Sequence, residues 1–396
     1  IFLKLFIFPG NMKLFDYMHL LAIILIFLLV QIPYNYNLGE DAYITFRVVE
    51  NFVAGNGLVF NVGENVEVNT SLLFPLILSV FVHLGFDIFI VTKVLCILFS
   101  IGALVILYLL SKRILPSPLY VIPSYLLTVF FTFNWYGTNG FETPLFMFLL
   151  LLSTHLFFKE EDKRKNYYSF VPLILLILTR PEGIVFAVLF ILYRLWTCDK
   201  KGRAYKYAAY ILVPFILLLL WRFLYYGMLV PNTVVAKSWI SLPYKLLGIV
   251  KGVKYLFDFL LWGAMILVIP ILMNVKKIFV NKHTWFLSVI SLIYVAALIM
   301  LGGDTTLPYY RAFVSIIPFV FILFVYSVKE LCKGKGITIV VCTVLFSLLL
   351  YQSLIINLQS NFYDDTDFRD NPFKDFGLLL NSKTQPGEVV SYGDIG

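Results

Sequence analysis

From Leu20 onward the chain alternates between long apolar runs and short polar breaks. The runs fall at roughly 20–32, 72–86, 88–110, 119–134, 141–158, 167–179, 183–196, 208–226, 254–273, 284–301, 311–328 and 337–357. Runs of this length predict helices that cross a bilayer, because a helix closes its backbone hydrogen bonds within itself. The first run has no small-residue cleavage site behind it and reads as an uncleaved span. If all the runs cross, Lys112, Arg113 and the cluster Lys159–Lys165 lie opposite the N-terminal Lys13, against the positive-inside rule. The conflict disappears if 72–86 lies in the membrane interface as a juxtamembrane helix. That run is short for a span, which needs about 20 residues, and it contains Pro75 and His83 and ends at Gly85. The expectation is an all-α polytopic membrane protein of about eleven spans, with the N-terminus inside and the C-terminus outside. The short runs 167–179 and 183–196 are candidates for a broken or re-entrant pair around Pro181.

Composition agrees. The 396 residues are 60% hydrophobic and only 14% charged, which no soluble domain of this size needs. The net charge of +8 sits in short loops (SKR at 111, KEEDKRK at 159, DKKGRAYK at 199, VKK at 275, KELCKGK at 329), so it sets topology rather than binding nucleic acid. Cys96, Cys198, Cys332 and Cys342 show no paired spacing for a metal or a disulfide, and His19, His83, His155 and His283 show no ligand spacing. Few charges fall inside spans; Lys93, Arg194 and Arg222 do. Residues 1–360 read as one transmembrane domain with a first external loop at about 34–87. The tail from Asn361 (YDDTDFRDNPFKDF) turns polar and is expected to open an extracytoplasmic domain that is cut off, and Met12 is a plausible start.

This topology gathers the polar residues outside the basic loops on one membrane face. Glu40, Asp41 and Arg47 lie in GEDAYITFR, Asn69 and Thr70 in the same loop, Asn139 and Glu142 in TNGFET, and Arg180 and Glu182 in TRPEG. Asn232 and Lys237 lie in VPNTVVAK, and Asp304, Tyr309 and Arg311 in GGDTTLPYYR. Charge at a membrane edge is costly and usually has a function. Carboxylates beside Arg and Lys suit group transfer onto a hydroxyl: one carboxylate acts as base while cations, with or without a divalent metal, hold a phosphate leaving group. Plainer roles stand beside these. Glu40 and Asp41 are well placed to cap a helix over 42–54, Glu142 to start one, Arg180 and Glu182 to pair across Pro181, and Asp304 to end a helix. Arg47, Asn232 and Lys237 also fit ordinary surface or loop positions. No Gly-rich phosphate loop, Ser-His-Asp order or His pair is present, which favours a lipid-linked donor over a soluble nucleotide-sugar.

The string EDAYITFRVVENFVAGNGLVFNVGENVEVNTSLLFPLIL at 40–78 resembles the first external loop of GT-C membrane glycosyltransferases. It is nearest to the branch of the terminal arabinofuranosyltransferases, with DDAYI(S/T)FR followed by a GNGLV-type stretch. TRPEG at 179, PNTVVAK at 231, GGD with YYR at 302–311 and the terminal GDIG resemble that branch's later blocks, in the same order. The resemblance implies a GT-C bundle with juxtamembrane helices in the first loop. It further implies an inverting hexosyl- or pentosyltransferase with a polyprenyl-phosphate sugar as donor and an envelope glycan, lipid or protein as acceptor. Such an enzyme works in the cytoplasmic membrane with its site facing outward. The base or metal-contact role falls on Asp41, with Glu40 beside it, and Mg or Mn is the metal to expect if one is held there. Two positions depart from the pattern: Glu40 replaces Asp, and VNT at 68–70 replaces a GYT-like triplet. The alternative is a lipid-linked glycan flippase or transporter, which calls for charges near mid-membrane and a path through the bundle.

Overall fold

The computed structural model describes residues 12–34, 38–163, 167–198, 201–231, 242–303 and 309–367. Among them the structure is helical, with no strand. The helices are α1 (Leu14–Gln31), α2 (Glu40–Val53), α3 (Leu73–His83), α4 (Ile88–Ile114), α5 (Ile122–Thr128) and α6 (Phe131–Tyr136). There follow α7 (Thr143–Lys163), α8 (Phe170–Thr179), α9 (Gly183–Thr197), α10 (Lys201–Tyr226), α11 (Leu242–Phe259) and α12 (Met265–Met273). The last are α13 (Val275–Val280), α14 (Lys282–Met300), α15 (Arg311–Val314), α16 (Ile317–Cys332) and α17 (Lys335–Asp367).

Among the described residues five helices are long and apolar enough to cross a membrane: α1 (continuing through Tyr34), α4, α10, α14 and the part of α17 through Ile356. All five fall on expected spans. The short run at 72–86 forms α3, only 11 residues long, packed on α2, α4 and α8. The pair around Pro181 is indeed broken. α8 has 10 residues and α9 has 15, so at 1.5 Å per residue α8 covers about 15 Å of a hydrocarbon core about 30 Å thick.

Three expected spans differ from a single straight helix; the mildest case is 311–328, which is α15 and then α16. The run 119–134 is a 3₁₀ turn over Leu119–Val121, then α5, then α6 after an extended Phe130. The Asn134 amide makes this break tolerable by donating to the freed carbonyls of Thr128 (2.9 Å) and Phe130 (3.2 Å), and Gln31 holds its Oδ1 at 2.9 Å. Non-helical backbone at this depth survives only where protein satisfies it. The run 254–273 passes through a π-helical turn, Leu260–Ala264, and bends by 95° before α12. An inserted residue of this kind leaves no mark on hydropathy.

The core runs along the second half of α4 and along α7 and α16, whose aromatic and aliphatic side chains are mostly buried, whereas Ile90, Val94 and Leu98 in the first half of α4 are exposed. Helix ends are fixed by polar side chains: Asp87 accepts from the Ile90 amide at the start of α4, and Asn281 from those of His283 and Thr284 at the start of α14. Asp16 does more. Only 1% exposed, it accepts from the Lys13 amide (2.8 Å), Lys112 Nζ (2.7 Å), Tyr108 Oη (2.8 Å) and Tyr120 Oη (2.7 Å). One carboxylate thereby ties the start of α1 to the end of α4 and to the turn after it.

The chain falls into two compact units, Ile1–Leu350 and Tyr351–Gly396. Of the second, the continuation of α17 through Asp367 is described. Residues 368–396, most of the expected external domain, lie outside the described residues.

Replacing Asp16 by Ala strands one ammonium and two phenols, and should lower the unfolding free energy by about 3 kcal/mol, against about 1 kcal/mol for Tyr120→Phe, which removes a single donor. Denaturant titration of the detergent-solubilised protein measures both, and equal effects would contradict the central role of this carboxylate.

Candidate functional site

The acid pair opens α2. Its N-cap is Gly39, in an extended conformation and without a side-chain cap bond. Glu40 and Asp41 are therefore first-turn residues rather than caps, where negative charge complements the helix dipole. A close backbone approach fixes this helix start. The Gly39 amide donates to the Asn139 carbonyl at 2.9 Å. A Cβ on Gly39 would lie 2.3 Å from the Phe141 ring, and one on Gly140 (φ +82°) would lie 2.9 Å from the Ala42 side chain. A Cβ at Gly39 would require the Phe141 ring to shift, and the left-handed backbone at Gly140 favours glycine outright. The turn 138–142 is anchored in its own right, since Thr138 Oγ1 donates to the Tyr34 carbonyl (2.9 Å) and the Cys96 thiol to that of Phe141 (3.5 Å).

That turn delivers Glu142 to the head of α7. Its carbonyl accepts from the Phe146 amide, but its side chain turns to Arg180. Arg180 Nη1 meets Glu142 Oε1 at 2.7 Å, while Nη2 and Nε meet Glu182 Oε1 and Oε2 at 2.8 and 3.3 Å. The guanidinium thus grips one carboxylate in a fork and the other by a single bond. Burial opposes charge on Arg180, but Glu182 and Glu142 outweigh it and push its pKa well above the ordinary value. Burial likewise pushes the Glu182 carboxyl up, and Arg180, with a smaller contribution from Arg311, brings it net below the ordinary value.

Arg311 arrives by a strained route. Tyr309 and Tyr310 both have left-handed backbones, with φ of 60° and 57°, a conformation that costs non-glycine residues about 1 kcal/mol or more each. Aromatic contacts offset it. Tyr309 meets Phe131 and Trp135 edge-on, both at 4.7 Å, and Tyr310 packs on Tyr255, Phe259 and Trp262. The turn places the Arg311 guanidinium 5.4 Å from the Phe141 ring centre, with the residue 9% exposed.

The first loop closes over this cluster. Thr45 and Asn69 are hydrogen-bonded side chain to side chain, and the Leu72 amide donates to the Leu178 carbonyl at 3.0 Å, two residues before Arg180. Glu67 forms a buried pair with Arg222 of α10 at 3.1 Å, and Tyr226 and Tyr225 of α10 grip the Leu58 backbone. Burial pushes the Glu67 carboxyl up, and Arg222 only partly offsets this.

The structure therefore unites Glu142, Arg180, Glu182 and Arg311 beside the start of α2. Asp41 stands exposed on that helix. Asn69 holds the loop, and Tyr309 holds the turn before Arg311. Arg47 stays apart from the cluster: it lies 3.9 Å from Glu50, with both side chains more than half exposed, a pair worth little. The Glu40 side chain, Asn232, Lys237 and Asp304 lie outside the described residues. The pairing of Glu67 with Arg222 was not foreseen. Its signal was Arg222, a charge inside an apolar run that needed a partner. Among the described residues no three His, Cys, Asp or Glu side chains come together as metal ligands. The described residues do not by themselves form a divalent-metal site.

No protein-family model matches the chain, and no curated protein does. Solved structures match in fold. The archaeal oligosaccharyltransferase AglB from Archaeoglobus fulgidus, in complex with an inhibitory peptide and a dolichol-phosphate, has a TM-score of 0.58 at 13% identity over 88% of this chain and 56% of that one. The Archaeoglobus fulgidus oligosaccharyltransferase complexed with Zn and sulfate gives 0.55 at 13% identity, over 95% and 59%. The same enzyme tethered by a disulfide to an acceptor peptide containing the NVT sequon gives 0.54 at 12%, over 87% and 55%. The chain thus spans somewhat more than half the length of these structures. At such identity the likeness is one of fold alone: a helical chain, five of whose described helices are long and apolar enough to cross a membrane, laid out like these oligosaccharyltransferases.

The charge balance at Arg180 has a pH signature. Because the folded Glu182 carboxyl titrates below its ordinary value of 4.5, its stabilising contribution is complete above that value and is lost as pH falls through the lower one. In Arg180→Gln burial, the largest influence, is opposed only by the weaker backbone and Arg311 contributions; the folded carboxyl then titrates above the unfolded one, and stability should instead rise on acidification from about pH 8 to about pH 5. Thermal midpoints across this range compare the two, and parallel profiles would refute the assignment.

Proposed function

We propose that the protein is an inverting glycosyltransferase that moves a sugar, hexosyl or pentosyl, from a polyprenyl-phosphate donor to a hydroxyl of an envelope glycan, lipid or protein, on the extracytoplasmic face of the cytoplasmic membrane. The observation that carries this reading is the half-buried Arg180 linking Glu142 to Glu182, with Arg311 beside them and Asp41 exposed at the adjoining helix start. The dolichol-phosphate and the acceptor peptide bound to the structural neighbours support a lipid-phosphate donor and a separate acceptor. The arabinofuranosyltransferase-like character rests on the order of EDAYITFR, GNGLVFN, TRPEG, PNTVVAK and GGD along the chain.

In this reading Asp41 takes the proton from the acceptor hydroxyl as its oxygen attacks the anomeric carbon. The bond from that carbon to the phosphate oxygen breaks on the opposite face, and its electron pair leaves with the lipid phosphate. The products are the glycosylated acceptor with inverted configuration and polyprenyl phosphate. Arg311 and Lys237 meet the growing phosphate charge. Arg180, already committed to two carboxylates, shares that field and above all fixes Glu142 and Glu182, which with Asp304 orient the sugar. Glu40 stands beside the base, Asn69 and Asn232 border the acceptor and donor, Tyr309 sets the approach of Arg311, and Arg47 anchors the rim of the loop.

Membranes containing Asp41→Asn should transfer sugar from a polyprenyl-phosphate donor about 10²- to 10⁴-fold more slowly than wild type, at an unchanged thermal midpoint because the residue is exposed. Undiminished turnover would sink the assignment.

A further inference from the structure

α7 and α9 leave the Arg180 cluster side by side and end together about 25 Å away, 17 residues along α7 at 1.5 Å each. Around their far ends lies a cavity of about 560 Å³, a size typical of ligand sites. Its lining carries three cations, Arg194, Arg203 and Lys282, and two carboxylates, Glu160 and Glu161.

Both acids are paired with cations within the protein. Glu160 accepts from the Ser169 amide (2.6 Å), Ser169 Oγ (2.9 Å) and Arg194 Nη2 (2.7 Å). Arg194 is 6% exposed, and its guanidinium lies over the Phe157 and Tyr207 rings at 4.3 and 5.0 Å. Glu161 faces Lys282 at 4.0 Å. Three cations against two carboxylates leave the lining one net positive charge. Beyond the lining, Lys159, Lys201 and Lys206 are its near neighbours in sequence and add positive charge.

The remaining walls are aromatic and apolar. Trp196 and Trp285 are in ring contact at 5.2 Å. Trp196 is 69% exposed, Phe279 48% and Val280 87%, and all three line the cavity. Indoles beside cations mark the headgroup level of a bilayer, and basic recesses between spanning helices take anionic headgroups. A soluble anion would gain nothing from the exposed Trp196, Phe279 and Val280, whereas acyl chains would cover them.

We infer that this cavity binds the headgroup of an anionic phospholipid, in the leaflet opposite the Arg180 cluster, with Arg203 and Lys282 on the phosphate and Trp196, Phe279 and Val280 along the acyl chains. The proposal is independent of the transfer chemistry.

The test is native mass spectrometry of the full chain in neutral detergent, with dimyristoyl phosphatidylglycerol or dimyristoyl phosphatidylcholine added at equal concentration. Each cation near the headgroup is worth about fivefold in binding, so phosphatidylglycerol should be retained at least about fivefold better. Arg203→Gln with Lys282→Gln should remove that preference at an unchanged thermal midpoint. Equal retention of the two lipids by the wild-type protein would overturn the proposal, as would a preference that survives in a folded double variant. Full competition by glycerol phosphate would overturn the lipid assignment in favour of a soluble anion, and this arm, like the first, needs no variant.

Discussion

A guanidinium out of water is tolerable only when its charge is answered, and at Arg180 two carboxylates answer it. Removing either acid leaves a largely desolvated charge in excess, and removing the arginine leaves two acids near each other, so the three residues depend on one another. Much of the outer end of the molecule follows from that constraint. Glu142 must arrive at the head of α7, which requires the glycine-tight contact between Gly39 and the 138–142 turn. Glu182 must sit two residues beyond Arg180, which requires the break between α8 and α9. The first loop is laid over the result by the hydrogen bond from Leu72 to Leu178.

The far end of the same helices uses the same device with a different partner set. Glu160 and Arg194 are paired, hydrogen-bonded and ringed by aromatic side chains. Two membrane helices therefore carry compensated charge at both ends and apolar surface between. Ion pairs of this kind add little net stability, since desolvation offsets attraction, but they admit few alternative arrangements of the helices that bear them.

Much of this was legible in the sequence, and the rest has a physical reason for being hidden. The spans at α4, α10, α14 and α17 are written in apolar length, and the pairing of Arg180 with Glu182 in their flanking of a proline. The helix carrying Asp41 was expected, although it begins at Glu40 rather than after the acid pair. The break between α5 and α6 was not legible, because Asn134 becomes a backbone cap only through Gln31, 103 residues away. The Glu67–Arg222 pair bridges 155 residues, and neither residue announces the other. The π-helical turn before α12 adds one residue to a helix whose hydropathy does not change.

The two short helices on either side of Arg180 bear on the sidedness of everything downstream. A pair that crosses and returns, and a pair that dips in and turns back, differ by an even number of crossings, so parity is conserved. The expected side of the basic loop at 199 therefore does not depend on how deep α8 and α9 reach. The 95° bend before α12 has no such protection. It falls within a single expected crossing, yet the Arg311 turn that follows comes back to the Arg180 end, 5.4 Å from the Phe141 ring, so the bent pair still counts as one crossing.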